Sequence, residues 1–312
     1  MVEPRWQALL AAPGQTERGP GMPIVDRLHF AATKEWRKRP MRWQTMHEIC
    51  ALRAELCDHY DVVLDLQGAL RSAVVARLAG CHRRIGEEEP RERPARWFFT
   101  EQVATHGAHV IEQDVELAAA VAGDALAAQP PLLPMDPAAE AWCDEQLATG
   151  PALPVALVNP GAGWGAKRWP TERYAAVARG LAERGLRVLV NAGPGEEPLA
   201  AEVIQASGGA ATMVTASLGQ LIALTRRIAL CVAGDTGPLH MACALRRPVV
   251  GIYGPTDPSR NGPYGTRFRV LRSPISRRDH TRRAAPEAGL LTIQPDDALR
   301  VADELLHEED AR

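Results

Sequence analysis

One stretch constrains the fold of this chain more than any other. Ile228 to Val232 is an unbroken apolar run, Gly234-Asp235-Thr236-Gly237 turns the chain, and Pro238 stands where a helix begins. Met241, Ala242, Ala244 and Leu245 continue that helix, and Val249 to Tyr253 form the next apolar run. Short apolar runs bounded by turn residues read as buried strands, and proline is favoured in the first turn of a helix because it has no N–H to leave unpaired. The pattern is therefore strand, sharp turn, helix, strand. In such a unit the turn lies at the carboxyl edge of a parallel sheet, where the first N–H groups of the helix and the positive end of its dipole face outward. That geometry suits an anion, most often a phosphate. An ordinary tight turn would account for the Gly-Pro pair alone. The addition of Asp235, Thr236 and His240, with Gly254-Pro255-Thr256-Asp257-Pro258 one strand later, favours a ligand site.

The same alternation runs through the second half of the chain. Val155 to Asn159 reads as a strand, Gly161 to Arg168 as a glycine-rich loop, and Thr171 to Arg184 as a helix stopped by Gly185. Val188 to Val190 is the next strand, running into Asn191-Ala-Gly193-Pro-Gly195-Glu196-Glu197, with Pro198 to Ala206 as its helix. Ser217-Leu-Gly-Gln220 is a capping box that opens a helix to Arg226. Alternating strands and helices predict an α/β fold with a parallel sheet wound on both faces. In the first half, Asp61 to Gly68 is a strand ending in a polar turn, and Ala69 to Leu78 is the helix after it. Gln44 to His59 and Val110 to Leu126 have helical spacing, whereas Arg83 to Arg96 is dense in Arg, Glu and Pro and reads as an exposed loop. Trp97-Phe98-Phe99 within that region is either a small satellite core or the lip of a cleft.

Gln129-Pro-Pro-Leu-Leu-Pro134 has the composition of a linker. Two doubly wound domains facing across a cleft are expected: residues 1–129, a linker and helix over 130–150, a second domain over 151–290, and a C-terminal helix over 291–312. A chain of 312 residues is long enough for both.

A net charge of −2 gives no global argument for a nucleic-acid partner. Lysine occurs only at 34, 38 and 167, which singles out Lys167 in its glycine-rich loop. Six cysteines show neither C-x-x-C nor zinc spacing, and Cys231 reads as a reduced core residue. No apolar run reaches the ~18 residues of a membrane span, and no signal peptide is recognisable, so a cytoplasmic protein is expected. Trp36 to Trp43 is a basic cluster bracketed by tryptophans. It reads either as a solvated helix start or as a patch facing an anionic lipid headgroup or phosphorylated acceptor.

Three loops of the second domain end on one carboxyl edge: 160–169, 193–197 and 235–240. The helix start at Pro238 offers N–H donors to phosphate oxygens, Lys167 a compact positive charge, and Glu196 a carboxylate suited to the paired hydroxyls of a ribose. Together they describe a nucleotide-diphosphate site. Gly161-Ala-Gly163-Trp-Gly-Ala166 is a degraded G-x-G-x-x-A pattern, but Lys167, Arg168 and Pro170 follow directly, so no helix can open on the glycines as a dinucleotide fingerprint requires. There is no P-loop. Gln67, Arg71 and Ser72 sit on the corresponding rim of the first domain.

Asp235-Thr-Gly-Pro-Leu-His240-Met-Ala242, Tyr253-Gly-Pro-Thr-Asp257-Pro258, Gly262-Pro-Tyr-Gly265, the Lys167-Arg-Trp169-Pro170 loop and Tyr60 to Gly68 with Arg71-Ser72 resemble the bacterial heptosyltransferases, glycosyltransferase family nine. The resemblance covers nearly the whole chain. It implies a GT-B fold and inverting transfer of heptose from ADP-heptose to the lipid A–core oligosaccharide acceptor of lipopolysaccharide, with no cofactor or metal. It further implies peripheral contact with the inner face of the inner membrane. By the same resemblance Lys167 and Asp235 are catalytic. Lys167, Asp235, Thr236, Gly237, Pro238 and Thr256 hold the diphosphate side, Glu196 (or Glu197) holds the ribose, and His240 shapes the turn. Gln67, Arg71 and Ser72 belong to the acceptor side.

Members of that family begin with a βαβ unit that leads to a Val-Glu segment, and this chain opens at that segment, Val2-Glu3-Pro4. The expectation is a shortened, poorly active form lacking the loop that carries the general base, with Asp65 the first remaining carboxylate to test in its place. An inactive nucleotide-sugar-binding remnant and a GT-B sugar-nucleotide epimerase are the alternatives in function.

Overall fold

The computed structural model describes residues 1–57, 59–279 and 281–310. The chain divides into two compact units, Met1–Gln7 with Arg27–Gln129 and Ala8–Asp26 with Pro130–Arg312. Residues 8–26, expected in the N-terminal domain, pack with the second unit. Leu9 lies against a core cluster of that unit, and the Met135 N–H donates to the Pro20 carbonyl at 3.0 Å.

The first unit comprises α1 (Thr33–Lys38), α2 (Trp43–Leu56), β1 (Val62–Asp65), α3 (Leu70–Leu78), β2 (Arg83–Glu87), β3 (Glu101–Val103) and α4 (Val110–Ala122). Its three strands form one parallel sheet in the order β1-β2-β3. β2 falls where the composition predicts a loop. Its ends are charged, but Ile85 is buried and the Phe99 ring packs so tightly on Gly86 that a Cβ there would lie 2.3 Å from Phe99 Cε2. Two inward positions suffice for a strand this short. Val2 continues the unit through a single parallel bridge to Phe30. α2 ends at Leu56, and residue 58 of the predicted Gln44–His59 helix lies outside the described residues.

The second unit contains α5 (Pro137–Ala148), β4 (Val155–Asn159), α6 (Thr171–Glu183), β5 (Arg187–Asn191), α7 (Glu197–Ala206), β6 (Ala211–Val214), α8 (Leu218–Thr225), β7 (Ile228–Gly234), α9 (Gly237–Ala244), β8 (Val249–Tyr253), α10 (Pro258–Asn261), β9 (Phe268–Arg272) and α11 (Pro295–Asp310). The sheet is six-stranded and all parallel, in the order β6-β5-β4-β7-β8-β9. Both faces are covered, which is why the inner strands read as continuous apolar runs. Ala156, Val158, Val188, Val190, Leu230 and Val232 face α6, α7 and α11. Leu157, Leu189, Cys231, Ala233, Val249 and Tyr253 face α5, α8 and α9. Cys231 is a free, fully buried thiol, and burial raises its pKa.

The chain order reverses between β4 and β7, which are adjacent in the sheet. A crevice outside the carboxyl ends of strands at such a reversal is where open α/β sheets take ligands. Residues 311 and 312 of the predicted C-terminal helix lie outside the described residues. Among the described residues, no helix is long and apolar enough to cross a membrane.

Candidate active site

β7 delivers Asp235 and Thr236 to the carboxyl edge, and α9 opens at Gly237 with Thr236 as its N-cap and Pro238 in its first turn. A Cβ on Gly237 would meet no protein atom within 4 Å, so the start of the helix is open to the approach of a ligand. His240 lies one turn into α9, and its Nε2 is 3.1 Å from Asp235 Oδ1.

Lys167 reaches the same carboxylate from the β4 loop. Its ammonium pairs with Asp235 Oδ2 and lies 3.3 Å from the Asp235 carbonyl oxygen. Two tryptophans set its position. The Trp169 ring is buried edge-on against Tyr174 at 5.0 Å, and its indole N–H donates to the Ile293 carbonyl at 3.3 Å. The Trp164 ring lies 4.4 Å from Lys167 Nζ, a cation–π contact.

Burial would raise the Asp235 pKa. The hydrogen bonds from His240 and Lys167 and the Lys167 charge outweigh it, holding the carboxyl at about 2. A carboxylate so acidic and so fully paired is a poor proton acceptor. Among the two residues expected to be catalytic, Asp235 has the geometry of a positioning residue that holds Lys167 and His240, while Lys167 supplies the charge.

Glu196 is the N-cap of α7 beyond β5. Its carboxylate lies against two backbone positions: a Cβ on Gly161 would come 2.1 Å from Glu196 Oε2, and one on Gly193 2.8 Å. A side chain at 161 would therefore push the Glu196 carboxylate aside. Thr256 follows β8 and is buried, and its hydroxyl oxygen has no hydrogen-bond partner among the described residues. Lys167, Glu196, Asp235 to Pro238, His240 and Thr256 thus all stand beyond the carboxyl ends of β4, β5, β7 and β8.

Two further residues lie beneath this edge, outside the expected set. Asn159 and Asn191 are buried at the ends of β4 and β5, and Asn191 Nδ2 donates to Asn159 Oδ1 at 2.7 Å while Asn159 Nδ2 reaches the Gly161 carbonyl at 3.3 Å. The signal was available: both strands end in Leu-Val-Asn. Trp164 is the other residue missed.

Gln67, Arg71 and Ser72 belong to the first unit, where Gln67, Arg71 and Ser72 line a cavity of about 330 Å³ together with Glu3, Arg5 and Lys34. The Lys34 ammonium is lowered in pKa by desolvation and then by its neighbours Arg5, Arg71 and Arg37, against Glu3. Such a crowd of cations is suited to an anionic ligand. Asp65 is buried beneath it. Its Oδ1 accepts from the Gln67 and Gly68 N–H groups at 2.9 and 3.1 Å, and its Oδ2 from Ser72 Oγ at 2.9 Å. Asp65 is used up in holding the turn, so the structure does not offer it as a general base. Among the described residues no three His, Cys, Asp or Glu side chains are grouped to hold a metal ion.

The family described as glycosyltransferase family 9 (heptosyltransferase) matches residues 49–290. The chain belongs to glycosyltransferase family 9. Among its family-9 relatives, lipopolysaccharide heptosyltransferase 1 of Pseudomonas aeruginosa is 30% identical over 78% of this chain and 68% of its own length. Lipooligosaccharide heptosyltransferase 2 of Haemophilus influenzae is 28% identical over 82% of this chain and 79% of its own. Two solved structures share the GT-B fold. The Escherichia coli heptosyltransferase WaaC with ADP superposes with a TM-score of 0.72 at 24% identity, covering 90% of this chain and 84% of WaaC. The family-9 protein of Veillonella parvula gives 0.75 at 19% identity, covering 98% and 87%. As a member of family 9 the chain is a glycosyltransferase.

Proposed function

We propose that this chain is an inverting heptosyltransferase that moves heptose from ADP-heptose to the inner core of lipopolysaccharide. The observation that carries the reading is the convergence of the Lys167 ammonium and the N-terminus of α9 on one carboxyl edge, held by Asp235. The names of its family-9 relatives supply the sugar and the acceptor.

In this reading the acceptor hydroxyl oxygen forms the new bond to the anomeric carbon from the face opposite the leaving group. The bond from that carbon to the β-phosphate oxygen breaks, and the hydroxyl proton passes to a base. Negative charge develops on the departing ADP. Lys167 and the first N–H groups of α9 are fixed in advance where that charge grows, which is how preorganised donors lower a barrier. Thr256 adds a hydroxyl to the diphosphate side. The Glu196 carboxylate accepts from the ribose hydroxyls. Gln67, Arg71 and Ser72, with the cations around them, receive anionic groups of the acceptor. A nucleotide-sugar donor and a lipid-linked acceptor place the enzyme on the cytoplasmic face of the inner membrane.

The test is transfer itself. With ADP-heptose and a heptose-deficient lipopolysaccharide, the acceptor should gain the mass of one heptose for each ADP released. Donor converted in the absence of acceptor would instead make the chain an epimerase, and ADP binding without turnover would make it a binding protein.

A further inference from the structure

Two segments of the first unit are not used by the site, and they carry the same seven-residue pattern. R-x-R-P-x-R-W occurs as Arg37-Lys-Arg39-Pro40-Met-Arg42-Trp43 and again as Arg91-Glu-Arg93-Pro94-Ala-Arg96-Trp97. The two copies have different local structures. The first is the turn between α1 and α2, closed by Thr45 Oγ1 donating to the Arg39 carbonyl at 2.8 Å. The second is mostly a 3₁₀ helix, Arg93–Phe98, which turns Ala95 into a satellite core. Shared backbone geometry therefore does not explain the shared sequence.

What the copies have in common is what they expose. Trp43 is 84% exposed and Trp97 76%, and Met41 beside Trp43 is 93% exposed. All six arginines are exposed, and none of them makes an ion pair among the described residues. An indole left in water adds nothing to the stability of the unit, and neither does an unpaired surface arginine. The one acidic residue inside the pattern is used elsewhere, because Glu92 Oε2 accepts the Leu70 N–H at 2.9 Å. Tryptophan with arginine is the composition that partitions into the interface of an anionic bilayer, the ring at headgroup depth and the cations on lipid phosphates.

The segments also flank the acceptor-side cavity. Thr33 and Lys34, which line it, lie in the helix that leads into the first copy. The second copy is bonded to the turn that carries Gln67, since the Glu92 N–H donates to the Gly68 carbonyl at 2.8 Å. We infer that the two R-x-R-P-x-R-W segments are paired anchors that seat the first unit on an anionic lipid bilayer, each joined to elements that line the acceptor cavity. The inference rests on the proposal of a lipid-linked acceptor, and it adds the surface and the residues that make the contact.

The experiment uses the full chain with vesicles of phosphatidylglycerol and phosphatidylethanolamine, and with phosphatidylcholine vesicles for comparison. The wild type should sediment with the anionic vesicles only, and salt of about 0.5 M should release it, because screening reaches within a few ångströms at that strength. Trp43→Ala and Trp97→Ala should each weaken partitioning about tenfold, and the double variant roughly a hundredfold, since each anchor buries one ring. Both rings are exposed, so the variants should keep the wild-type melting temperature and the wild-type transfer rate to a delipidated core oligosaccharide. Equal binding to neutral vesicles, a double variant that binds like wild type, or a preference for single-stranded nucleic acid over vesicles would overturn the inference. Vesicle binding without any heptose transfer would support the anchors while refuting the proposed reaction. Transfer without vesicle binding would do the reverse.

Discussion

Lys167 and Asp235 stand 68 residues apart in sequence and close an ion pair at the carboxyl edge of β4 and β7, with both side chains nearly buried. Each comes from a different strand-to-helix connection, so the pair ties together the two loops on either side of the point where the sheet reverses its order. The Asp235 pKa, about 2 against an ordinary 3.8, gives a sign. A carboxyl depressed on folding contributes stability that is complete above its unfolded value and is lost as pH falls from about 4 to 2. Asp235→Asn should therefore destabilise the protein by about 2 kcal/mol at neutral pH. Chemical denaturation of both proteins across pH should show that difference shrinking below pH ~4.

Glu196 and Gly161 make a second prediction. Glu196→Gln should weaken ADP binding roughly tenfold to a hundredfold, by removing a charged acceptor for the ribose hydroxyls. Gly161→Ala should weaken it as well, although residue 161 contributes no side chain of its own, because the new methyl would displace the Glu196 carboxylate. Calorimetry with ADP measures both. An unperturbed affinity in Gly161→Ala would mean that the carboxylate is not the ribose partner.

Thr256 should behave in opposite ways in the two states. Its buried hydroxyl has no partner among the described residues, so Thr256→Val should raise stability by about 1 kcal/mol. If the hydroxyl serves the diphosphate, the same change should weaken ADP binding about fivefold. Melting curves with and without ADP separate the two effects. A variant less stable when free, or unchanged in affinity, would contradict this role.

Asp65→Asn tests the turn beneath the cavity proposed to receive the acceptor. The carboxylate accepts three hydrogen bonds, and an amide cannot replace all of them, so a loss of about 2 kcal/mol is expected. The shape of the pH–rate profile should not change. A lost acid limb in that profile would restore Asp65 as the base.

Much of the second unit was legible in the sequence because its inner strands are buried on both faces. Val155–Asn159 and Ile228–Gly234 are nearly uniform in burial, and uniform burial writes itself as an apolar run. The two edge strands, Ala211–Val214 and Phe268–Arg272, were not legible. Each has a neighbouring strand on one side only, and the run is broken by the exposed Thr212 and by Arg269 and Arg272, which are half-buried and bonded to Glu304 and to the Gly254 and Ser276 carbonyls. β2 was missed for a similar reason, with Arg83, Arg84 and Glu87 around a core of two residues. The residues of the proposed donor site could be nominated from the sequence because phosphate chemistry at a helix start requires particular residue types, and they do gather at one carboxyl edge. The Asn159–Asn191 pair and the Trp164 contact depend on which loops meet in space, and spacing along the chain does not record that. The association of residues 8–26 with the second unit is of the same kind.

In the proposed reaction Lys167, fixed by Asp235 beside the start of α9, stabilises the ADP leaving group of a sugar transfer. The most direct test is the acceptor-dependent rate of ADP release by Lys167→Ala at saturating ADP-heptose, with circular dichroism and melting temperature to confirm the fold. The rate should fall by roughly 10²–10³-fold, the loss typical of one preorganised donor at a developing charge, while the fold persists. A Lys167→Ala protein that releases ADP at the wild-type rate would show that Lys167 does not act on the leaving group.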